Sequence, residues 1–255
     1  MITLLFTSVF FFFYSPITGQ VACATSSEWD KISSYTTYFN ASDRGRSENI
    51  AIAASLIHGV IIQPYGEFSF NQTVGRRTQE AGFQQAKIIV NGEYVLGVGG
   101  GVCQVSTTLY NAALKAGLNV TEFHPHSLRV GYVPPSRDAM VSSGSDLKFF
   151  NPHINPVRLS AEVFNGGVRI SFFGKNIGDR YEITAVTLGE IPPPPPIFKE
   201  GEKEEILRSP QNGVKSEAYL ERYQGEKLVS RKRIRTDEYR PIQGILVKKI
   251  GNTTE

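Results

Sequence analysis

The most informative stretch of the chain runs from residue 99 to residue 112 and reads Gly99-Gly100-Gly101-Val102-Cys103-Gln104-Val105-Ser106-Thr107-Thr108-Leu109-Tyr110-Asn111-Ala112. The three glycines predict flexible backbone, and the apolar residues after them recur at helical spacing until Gly117 closes the pattern like a C-cap. Cys103 is therefore expected in or just before the first turn, where unpaired N–H groups and the helix dipole favour a thiolate. The glycines would let a substrate backbone come close, so this is a suitable position for a nucleophile.

Patterns typical of helices and strands flank this stretch on both sides. Ser47 can cap a helix that has apolar residues on one face, and Asn91-Gly92 and residues 165–167 are hairpin signals. The predicted strands are 36–39, 68–71, 87–90, 94–98, 128–133, 139–142, 147–150, 157–163 and 168–173. Together these patterns predict an α+β fold with helices packed on an antiparallel sheet.

The composition indicates an ordinary folded protein. The chain has 255 residues, 40% hydrophobic and 20% charged, which gives room for one large domain or two small ones. Its net charge of +3 is too weak to indicate binding to DNA or RNA. We therefore expect no nucleic-acid partner.

The N-terminus carries an apolar run from Ile2 to Tyr14, followed by the small-x-small pattern of residues 22–24. This predicts a secretory signal peptide over residues 1–24, since a membrane span needs about 20 apolar residues. No Lys or Arg precedes the run, and an uncleaved anchor that tethers the protein to the membrane is the alternative. If Cys23 is removed with the signal peptide, Cys103 is left alone, as a buried small hydrophobe or as a reactive thiol.

The C-terminal part of the chain differs in composition from the rest. Residues 192–196 are five prolines, which predict a stiff extended linker, and dense charges of both signs follow from Lys199. The basic run 231–235 is either a solvated strand face or a contact for anionic wall polymers or lipid surfaces. The predicted division of the chain is 1–24 signal peptide, 25–190 main domain, 191–198 linker and 199–255 small all-β module.

A nucleophile, bases and carboxylates follow one another in an order that suits thiol catalysis. A cysteine nucleophile needs a base to take its proton, and that base needs a carboxylate to fix its tautomer. His126 is favoured as the base because a predicted strand begins there, and His124, which would point the other way, would pack behind it. Asp138 and Asp146 are both candidates for the orienting carboxylate.

Other roles for these residues remain open. The Gln104 amide and the Cys103 N–H could stabilise an oxyanion, or Gln104 could face solvent. A zinc site and a purely structural role are rival interpretations, although no recognised zinc spacing is present and we expect neither metal nor cofactor. The residues of the rival zinc site would be Cys103, His124, His126 and His153.

The chain resembles the VanW family, named after an accessory protein of vancomycin-resistance clusters, over about residues 36–156. The motifs that carry the resemblance are 66–71 (GEFSFN), 74–78 (VGRRT), 99–111 (GGGVCQVSTTLYN), 124–127 (HPHS) and 137–139 (RDA). Phe123 and Ser136 depart from the family pattern, in which we expect a basic residue and a glycine. The segment after the prolines resembles the five-glycine wall-associated module, through Gly213, Gly225, Gly244 and Gly251.

The resemblance implies a bacterial envelope protein, exported to the cell wall of a Gram-positive organism and linked to peptidoglycan. The order of Cys on a helix, His and Asp is also similar to the papain and transglutaminase-like architecture, which is an analogy of fold only. We expect a thiol acyl-transfer enzyme acting on peptidoglycan stem peptides, as a hydrolase or a transpeptidase. The alternative is a non-catalytic module in which Gly99, Gly100 and Gly101 with Arg76 and Arg77 bind muropeptides or an anionic wall polymer. A purely structural accessory protein is the third possibility.

Overall fold

The fold mixes α-helices with predominantly antiparallel β-sheets. A computed structural model describes residues 29–90, 92–175 and 178–249; the predicted signal peptide lies outside them. The helices are α1 (Arg44–Ile57), α2 (Phe70–Val74) and α3 (Val102–Lys115). The strands are β1 (Asp30–Tyr38), β2 (Ile61–Ile62), β3 (Glu67–Ser69), β4 (Gln85–Val90), β5 (Glu93–Val98), β6 (Asn119–Glu122), β7 (Lys148–Phe150), β8 (Val157–Phe164), β9 (Gly167–Gly174), β10 (Asp179–Ile191), β11 (Ile197–Gly201), β12 (Glu205–Arg208), β13 (Gly213–Gln224), β14 (Lys227–Tyr239) and β15 (Ile245–Lys249).

The main core lies between helices and an antiparallel sheet, as the sequence predicts. The sheet has the order β1-β9-β8-β2; α3 packs on β1 and β9, and α1 packs on β8 and α3. Ile50, Leu109, Leu159 and Phe172 are fully buried between these layers. Each such side chain contributes about 1.5–3 kcal/mol by leaving water, so this layer supplies much of the stability.

Helix α3 is buried along almost its whole surface. Cys103 and Lys115 are its only residues that are not buried. A helix that is buried all round belongs to the protein interior, which fixes its position firmly. Cys103 is thus the point where a rigid core helix reaches the surface of a cleft.

Helix α1 begins earlier than the sequence predicts. Its buried face carries Ile50, Ala53 and Ile57 as expected, but the N-cap is Asp43, whose side chain accepts from the Arg46 N–H at 3.2 Å. Ser47 lies inside the helix, and its hydroxyl donates to the Asp43 carbonyl at 2.8 Å. The predicted cap at Ser47 was wrong because a second capping residue stands one turn upstream.

Two smaller sheets are the one of order β3-β7-β6 and the hairpin of β4 and β5, which ends directly before the glycine run. The predicted strand 68–71 ends at Ser69, whose hydroxyl accepts from the Gln72 N–H at 3.1 Å and caps α2. Strands β4 and β5 pair from Gln85↔Val98 to Val90↔Glu93, which confirms the predicted hairpin. Gly92 in its turn has a φ of 83°, the left-handed conformation that such turns require.

The segment between β6 and β7 is irregular, so the predicted strands 128–133 and 139–142 were wrong. Pro134 and Pro135 cannot donate to a ladder, and Ser136 takes a positive φ of 60°. The segment is held by single contacts instead, such as Met140 N–H to the His124 carbonyl at 2.7 Å.

The described C-terminal part is all β. One sheet has the order β10-β13-β14 and another the order β11-β15-β12. Strand β10 begins at Asp179 and pairs with β13, so the first sheet joins residues from both sides of the proline run 192–196. The prolines themselves lie between β10 and β11 without regular structure, and the domain bounds remain a prediction.

The basic run 231–235 does not form a uniform solvated face. Arg231 pairs with Glu221 at 3.1 Å and Arg233 with Glu217 at 2.7 Å, both on the adjacent strand β13. Arg235 is buried and points into the main domain. One residue of the run therefore belongs to the protein interior, which neither the solvated strand face nor the contact for anionic surfaces predicted.

Candidate functional site

The glycine run brings Cys103 to the second position of α3. Gly101 is the N-cap and has a φ of 109°, and a Cβ on Gly100 would lie 2.6 Å from the Lys87 carbonyl oxygen. Glycine is therefore required at position 101 for its backbone angle, and at position 100 because a side chain there would collide with the backbone of the hairpin. The Val102 and Gln104 N–H groups donate to Gly99 and Gly101, whereas the Cys103 N–H has no acceptor among the described residues.

His126 and Asp138 form a buried pair next to the thiol. The His126 Nδ1 lies 2.7 Å from Asp138 Oδ2, and the His126 backbone N–H donates to the same oxygen at 2.7 Å. Because Nδ1 is engaged by Asp138, Nε2 is the ring nitrogen left for Cys103, and His126 is close enough to lower the pKa of the thiol. The Cys103 thiol also donates to the Val141 carbonyl at 3.4 Å.

The electrostatics favour a thiolate beside an imidazolium. Burial opposes ionisation of Cys103, but His126 and Arg77 together hold the pKa of the thiol below its ordinary value. Burial likewise opposes the charged form of His126, yet its contacts with Asp138 and Cys103 raise the pKa to about 9. Asp138 stays ionised, since burial is outweighed by His126, Arg235 and Tyr239, which lower the pKa of its carboxyl.

Two residues of the C-terminal strand β14 hold Asp138 from behind. Arg235 donates through Nη1 to the Asp138 carbonyl at 2.5 Å and lies 3.4 Å from its Oδ1 through Nη2. The Tyr239 hydroxyl donates to the same Oδ1 and accepts the Ser136 N–H at 2.7 Å. Asp237 balances the charge of Arg235 at 2.6 Å, and all of these side chains are buried.

The two departures from the family pattern lie in this buried region. The Phe123 ring lies 4.6 Å from the Arg235 guanidinium, so an aromatic face meets the cation at this position. Ser136 adopts the positive φ for which glycine is usual, and its hydroxyl bonds Ser216 at 2.7 Å. Both positions therefore belong to the contact with the C-terminal strands.

Sequence reasoning missed Arg235 and Tyr239. They lie 97 and 101 residues beyond Asp138, in a stretch whose composition is that of a charged surface strand. The one feature that could have drawn attention to Tyr239 is its position as the last residue of strand β14, which also contains the basic run 231–235. Nothing local in the sequence distinguishes Arg235 from Arg233.

A cleft of about 1020 Å³ opens in front of Cys103 and His126. We call it the Cys103 cleft. Its walls are residues 75–78, residues 87–90 of the β4–β5 hairpin, the glycine run 99–101, and the two loop segments 130–132 and 140–143. The cleft is large enough for several residues of a peptide or a comparable ligand.

The structure separates the other predicted site residues from the row of Cys103, His126 and Asp138. His124 bonds Glu122 at 3.0 Å and does not line the cleft. Asp146 accepts from the Ser69 hydroxyl at 2.5 Å and from the Asn71 N–H at 2.8 Å, so Asp138 and not Asp146 orients His126.

Gln104 does not supply an oxyanion donor. Its amide nitrogen donates to Thr37 at 3.0 Å and to the Tyr38 carbonyl at 2.9 Å, while its oxygen accepts from Arg46 at 2.6 Å. The side chain is buried and all its groups are engaged, which also excludes a solvent-facing role. Both interpretations of Gln104 were wrong.

The predicted substrate-binding residues reach the cleft together. Gly99, Gly100 and Gly101 form one wall, and Arg76 and Arg77 also line the cleft, with Arg77 next to Gly99. Arg76 is exposed, whereas Arg77 is partly buried and donates to Asn71 at 2.8 Å. Both arginines therefore lie in the same cleft as Cys103.

The residues of the rival zinc site are dispersed. His153 bonds the Ala116 carbonyl at 3.0 Å, away from the cleft, and His124 is engaged by Glu122. Within residues 29–90, 92–175 and 178–249, no group of three or more His, Cys, Asp or Glu side chains could hold a metal ion. In the same part of the chain, no helix has the length and apolarity needed to cross a membrane.

The family model described as "VanW like protein" matches residues 45–173, which is half of the chain and contains Cys103, His126 and Asp138. The chain belongs to the VanW family. Arg235 and Tyr239 lie outside the matched residues.

Two curated relatives are similar to this chain. The protein named "Uncharacterized protein YoaR" of Bacillus subtilis (strain 168) is 43% identical over 148 residues, which are 58% of this chain and 49% of that protein. The "Vancomycin B-type resistance protein VanW" of Enterococcus faecalis (strain ATCC 700802 / V583) is 29% identical over 109 residues, which are 40% of each chain. The chain thus spans about half the length, or less, of these relatives.

One solved structure, described as the crystal structure of HP0197-G5, aligns with 28% of this chain and 96% of its own. The identity is 16% and the TM-score is 0.17, which is too low to indicate a shared fold. The five-glycine module therefore remains a prediction.

Proposed function

We propose that the chain is a thiol acyl-transfer enzyme of the cell envelope that acts on peptidoglycan stem peptides. The observation that carries the proposal is the row of the half-buried Cys103 and the buried His126 and Asp138, at a cleft with a glycine wall. The name of one relative refers to resistance against vancomycin, an antibiotic directed at the cell wall, which supports an envelope substrate. The proposed location is outside the cell membrane, with peptidoglycan or wall polymers as partners.

The proposed reaction needs only the groups of this row. The Cys103 sulfur attacks the carbonyl carbon of a peptide, and the His126 Nε2 proton passes to the leaving amine as the C–N bond breaks. The resulting thioester is released when water or a second amine attacks, with His126 taking the proton of that nucleophile. Water makes the enzyme a hydrolase, and an amine makes it a transpeptidase.

The unpaired Cys103 N–H is the proposed oxyanion donor, since it lies at the start of α3 with no acceptor among the described residues. The papain or transglutaminase-like order of a thiol on a core helix, a histidine and a carboxylate is part of this proposal. The likeness concerns the order and roles of the residues, and supports the reaction class by analogy only.

The first test is the rate of Cys103 alkylation by iodoacetamide as a function of pH, on the chain lacking residues 1–24. A reaction midpoint well below the ~8.5 of a free thiol supports an activated nucleophile. Loss of all turnover on muropeptides in Cys103→Ser, with retained folding, supports catalysis. A thiol that reacts only on unfolding contradicts the proposal.

The runner-up is a non-catalytic wall-binding module. The observation in its favour is that Arg76 and Arg77 lie together at the edge of the Cys103 cleft, where they could bind muropeptides or an anionic polymer. Such a binder keeps its affinity in Cys103→Ser, and sedimentation with purified cell walls distinguishes the two functions.

A further inference from the structure

The Cys103 cleft carries an excess of positive charge. Its lining includes the cationic side chains Arg46, Arg76, Arg77 and Lys87, and contains no Asp or Glu. None of these four takes part in an ion pair with any other described residue. An excess of one sign in a concave, partly apolar site attracts an occupant of the opposite sign.

Arg77 is oriented by neutral oxygens. Its Nη1 donates to the Asn71 Oδ1 at 2.8 Å and to the Gly75 carbonyl at 3.0 Å. Asn71 is fixed in turn, because its own amide nitrogen donates to the Ser142 and Ser145 carbonyls at 2.9 and 3.0 Å. Burial lowers the pKa of Arg77, so holding this cation inside the cleft has an energetic cost.

Arg46 repeats the same arrangement on another wall. Its Nη2 donates to the Gln104 oxygen at 2.6 Å, and Gln104 is anchored on Thr37 and the Tyr38 carbonyl. An amide oxygen fixes the direction of a guanidinium and leaves its charge uncompensated, which a carboxylate would not do. The apolar side chains of Ile88 and Val141 lie in the same cleft.

Several arginines outside the cleft meet carboxylates directly. Such pairs are Arg208 with Glu93, Arg222 with Asp179, Arg231 with Glu221, Arg233 with Glu217 and Arg235 with Asp237. Arg137 is also held by an amide oxygen, that of Asn111 at 2.9 Å, but it lies outside the cleft.

We propose that the Cys103 cleft selects peptide acyl donors that carry a carboxylate beside the scissile carbonyl, and that Arg77 and Arg46 bind this carboxylate. The inference rests on the proposed thiol chemistry and defines its substrate class. A planar guanidinium fork binds a carboxylate through two parallel hydrogen bonds, which fixes both the position and the orientation of the donor.

Two alkylating reagents of nearly equal size test this proposal without a natural substrate. Iodoacetate and iodoacetamide both form a bond from the Cys103 sulfur and release iodide, but only iodoacetate carries a carboxylate. We expect the ratio of the iodoacetate rate to the iodoacetamide rate to fall about tenfold in Arg77→Gln, and similarly in Arg46→Gln. The ratio corrects for any change in the reactivity of the thiol itself.

Arg129→Gln is the matched control, because Arg129 is exposed and does not line the cleft. It removes the same charge from the molecule and is expected to leave the ratio within a factor of two. An equal fall in all three variants would mean attraction by net charge alone and would overturn the carboxylate site.

Two further outcomes separate this inference from the proposed function. Rapid reaction with iodoacetamide and a ratio that neither Arg77→Gln nor Arg46→Gln changes would overturn the carboxylate site and leave the nucleophile intact. Absence of reaction with either reagent in the folded protein would overturn the nucleophile, and with it the inference.

Discussion

Asp138 and Cys103 stand at opposite ends of the same row, and their surroundings differ in how charge is treated. Behind Asp138, the carboxylate meets Arg235, Tyr239 and His126 in the interior, and Asp237 balances Arg235. In front of Cys103, the cleft presents cations and no carboxylate. The buried side satisfies its charges internally, whereas the open side leaves its charges for a ligand.

The two environments predict different consequences when their residues are substituted. Groups behind Asp138 are expected to affect folding and the titration of the row together, since each lost partner leaves a buried charge. Groups of the cleft are expected to affect the choice of ligand, because none of its cations forms an ion pair with a described carboxylate.

The largest effect is expected for Arg235→Met, which leaves the Asp138 and Asp237 carboxylates buried without their common cation. The loss of unfolding free energy should be about 3–5 kcal/mol, measured by urea denaturation. Arg233→Met is the matched control on the same strand, with 59% of its side chain exposed, and should cost about 0–1 kcal/mol. Equal losses in the two variants would remove the distinction between the buried side and the surface.

Gly100→Ala is expected to have the next largest effect. The new methyl group would lie 2.6 Å from the Lys87 carbonyl oxygen and 2.8 Å from Ala86, where the hairpin backbone would have to move. We expect a loss of about 1–3 kcal/mol in a thermal unfolding experiment. Gly131 also lines the cleft but has nothing within 4 Å of its Cβ position, so Gly131→Ala should change stability by less than about 0.5 kcal/mol. A small loss of stability in Gly100→Ala would mean that the hairpin backbone moves easily to accommodate the methyl group.

Asp138→Asn should shift the titration of the row. Asp138 raises the pKa of His126 to about 9 together with Cys103, so its loss lowers that pKa and raises that of the Cys103 thiol. At pH values below the Cys103 pKa, the iodoacetamide rate should fall about tenfold for each unit by which that pKa rises. In the wild type a second inflection is expected near pH 9, where His126 loses its proton, and it should move to lower pH in the variant.

The control for this titration is Asp179→Asn, which changes a carboxylate paired with Arg222 on the remote sheet. Its pH–rate profile should coincide with that of the wild type. If Asp138→Asn also left the profile unchanged, Asp138 would serve folding alone.

The smallest effect is expected for Tyr239→Phe. It removes one hydroxyl that donates to Asp138 and accepts the Ser136 N–H, at a cost of about 1 kcal/mol in urea denaturation. Tyr223→Phe removes a hydroxyl bonded to Glu221 at the partly exposed end of β13 and should stay within about 0.5 kcal/mol of the wild type. A larger loss in Tyr223→Phe than in Tyr239→Phe would contradict the importance of the buried side.

The sequence predicts those features that depend on local patterns. The α3 helix, the β4–β5 hairpin and the buried face of α1 follow from apolar periodicity and from turn residues, and all three are confirmed. The neighbourhood of Cys103 and His126 could be expected from residue type and order, although the strand on which His126 was placed does not exist.

What could not be predicted depends on contacts across long separations. The Gln104 amide is of a type that can stabilise an oxyanion. It is instead engaged by Thr37 and Arg46, which precede it by 67 and 58 residues. Asp138 and Asp146 are equivalent in local sequence, and only the packing of Ser69 and Asn71 against Asp146 separates their roles.

The contact between Arg235 and Asp138 also determines how late in synthesis the surroundings of Asp138 can be completed. Arg235 is made 97 residues after Asp138, which corresponds to roughly 5–20 seconds of synthesis at about 5–20 residues per second. Until β14 has docked, Asp138 lacks Arg235 and Tyr239, two of the groups that keep it ionised. An unfinished chain, or one cut in the proline run, would therefore carry a thiol that is already in place but not yet fully activated.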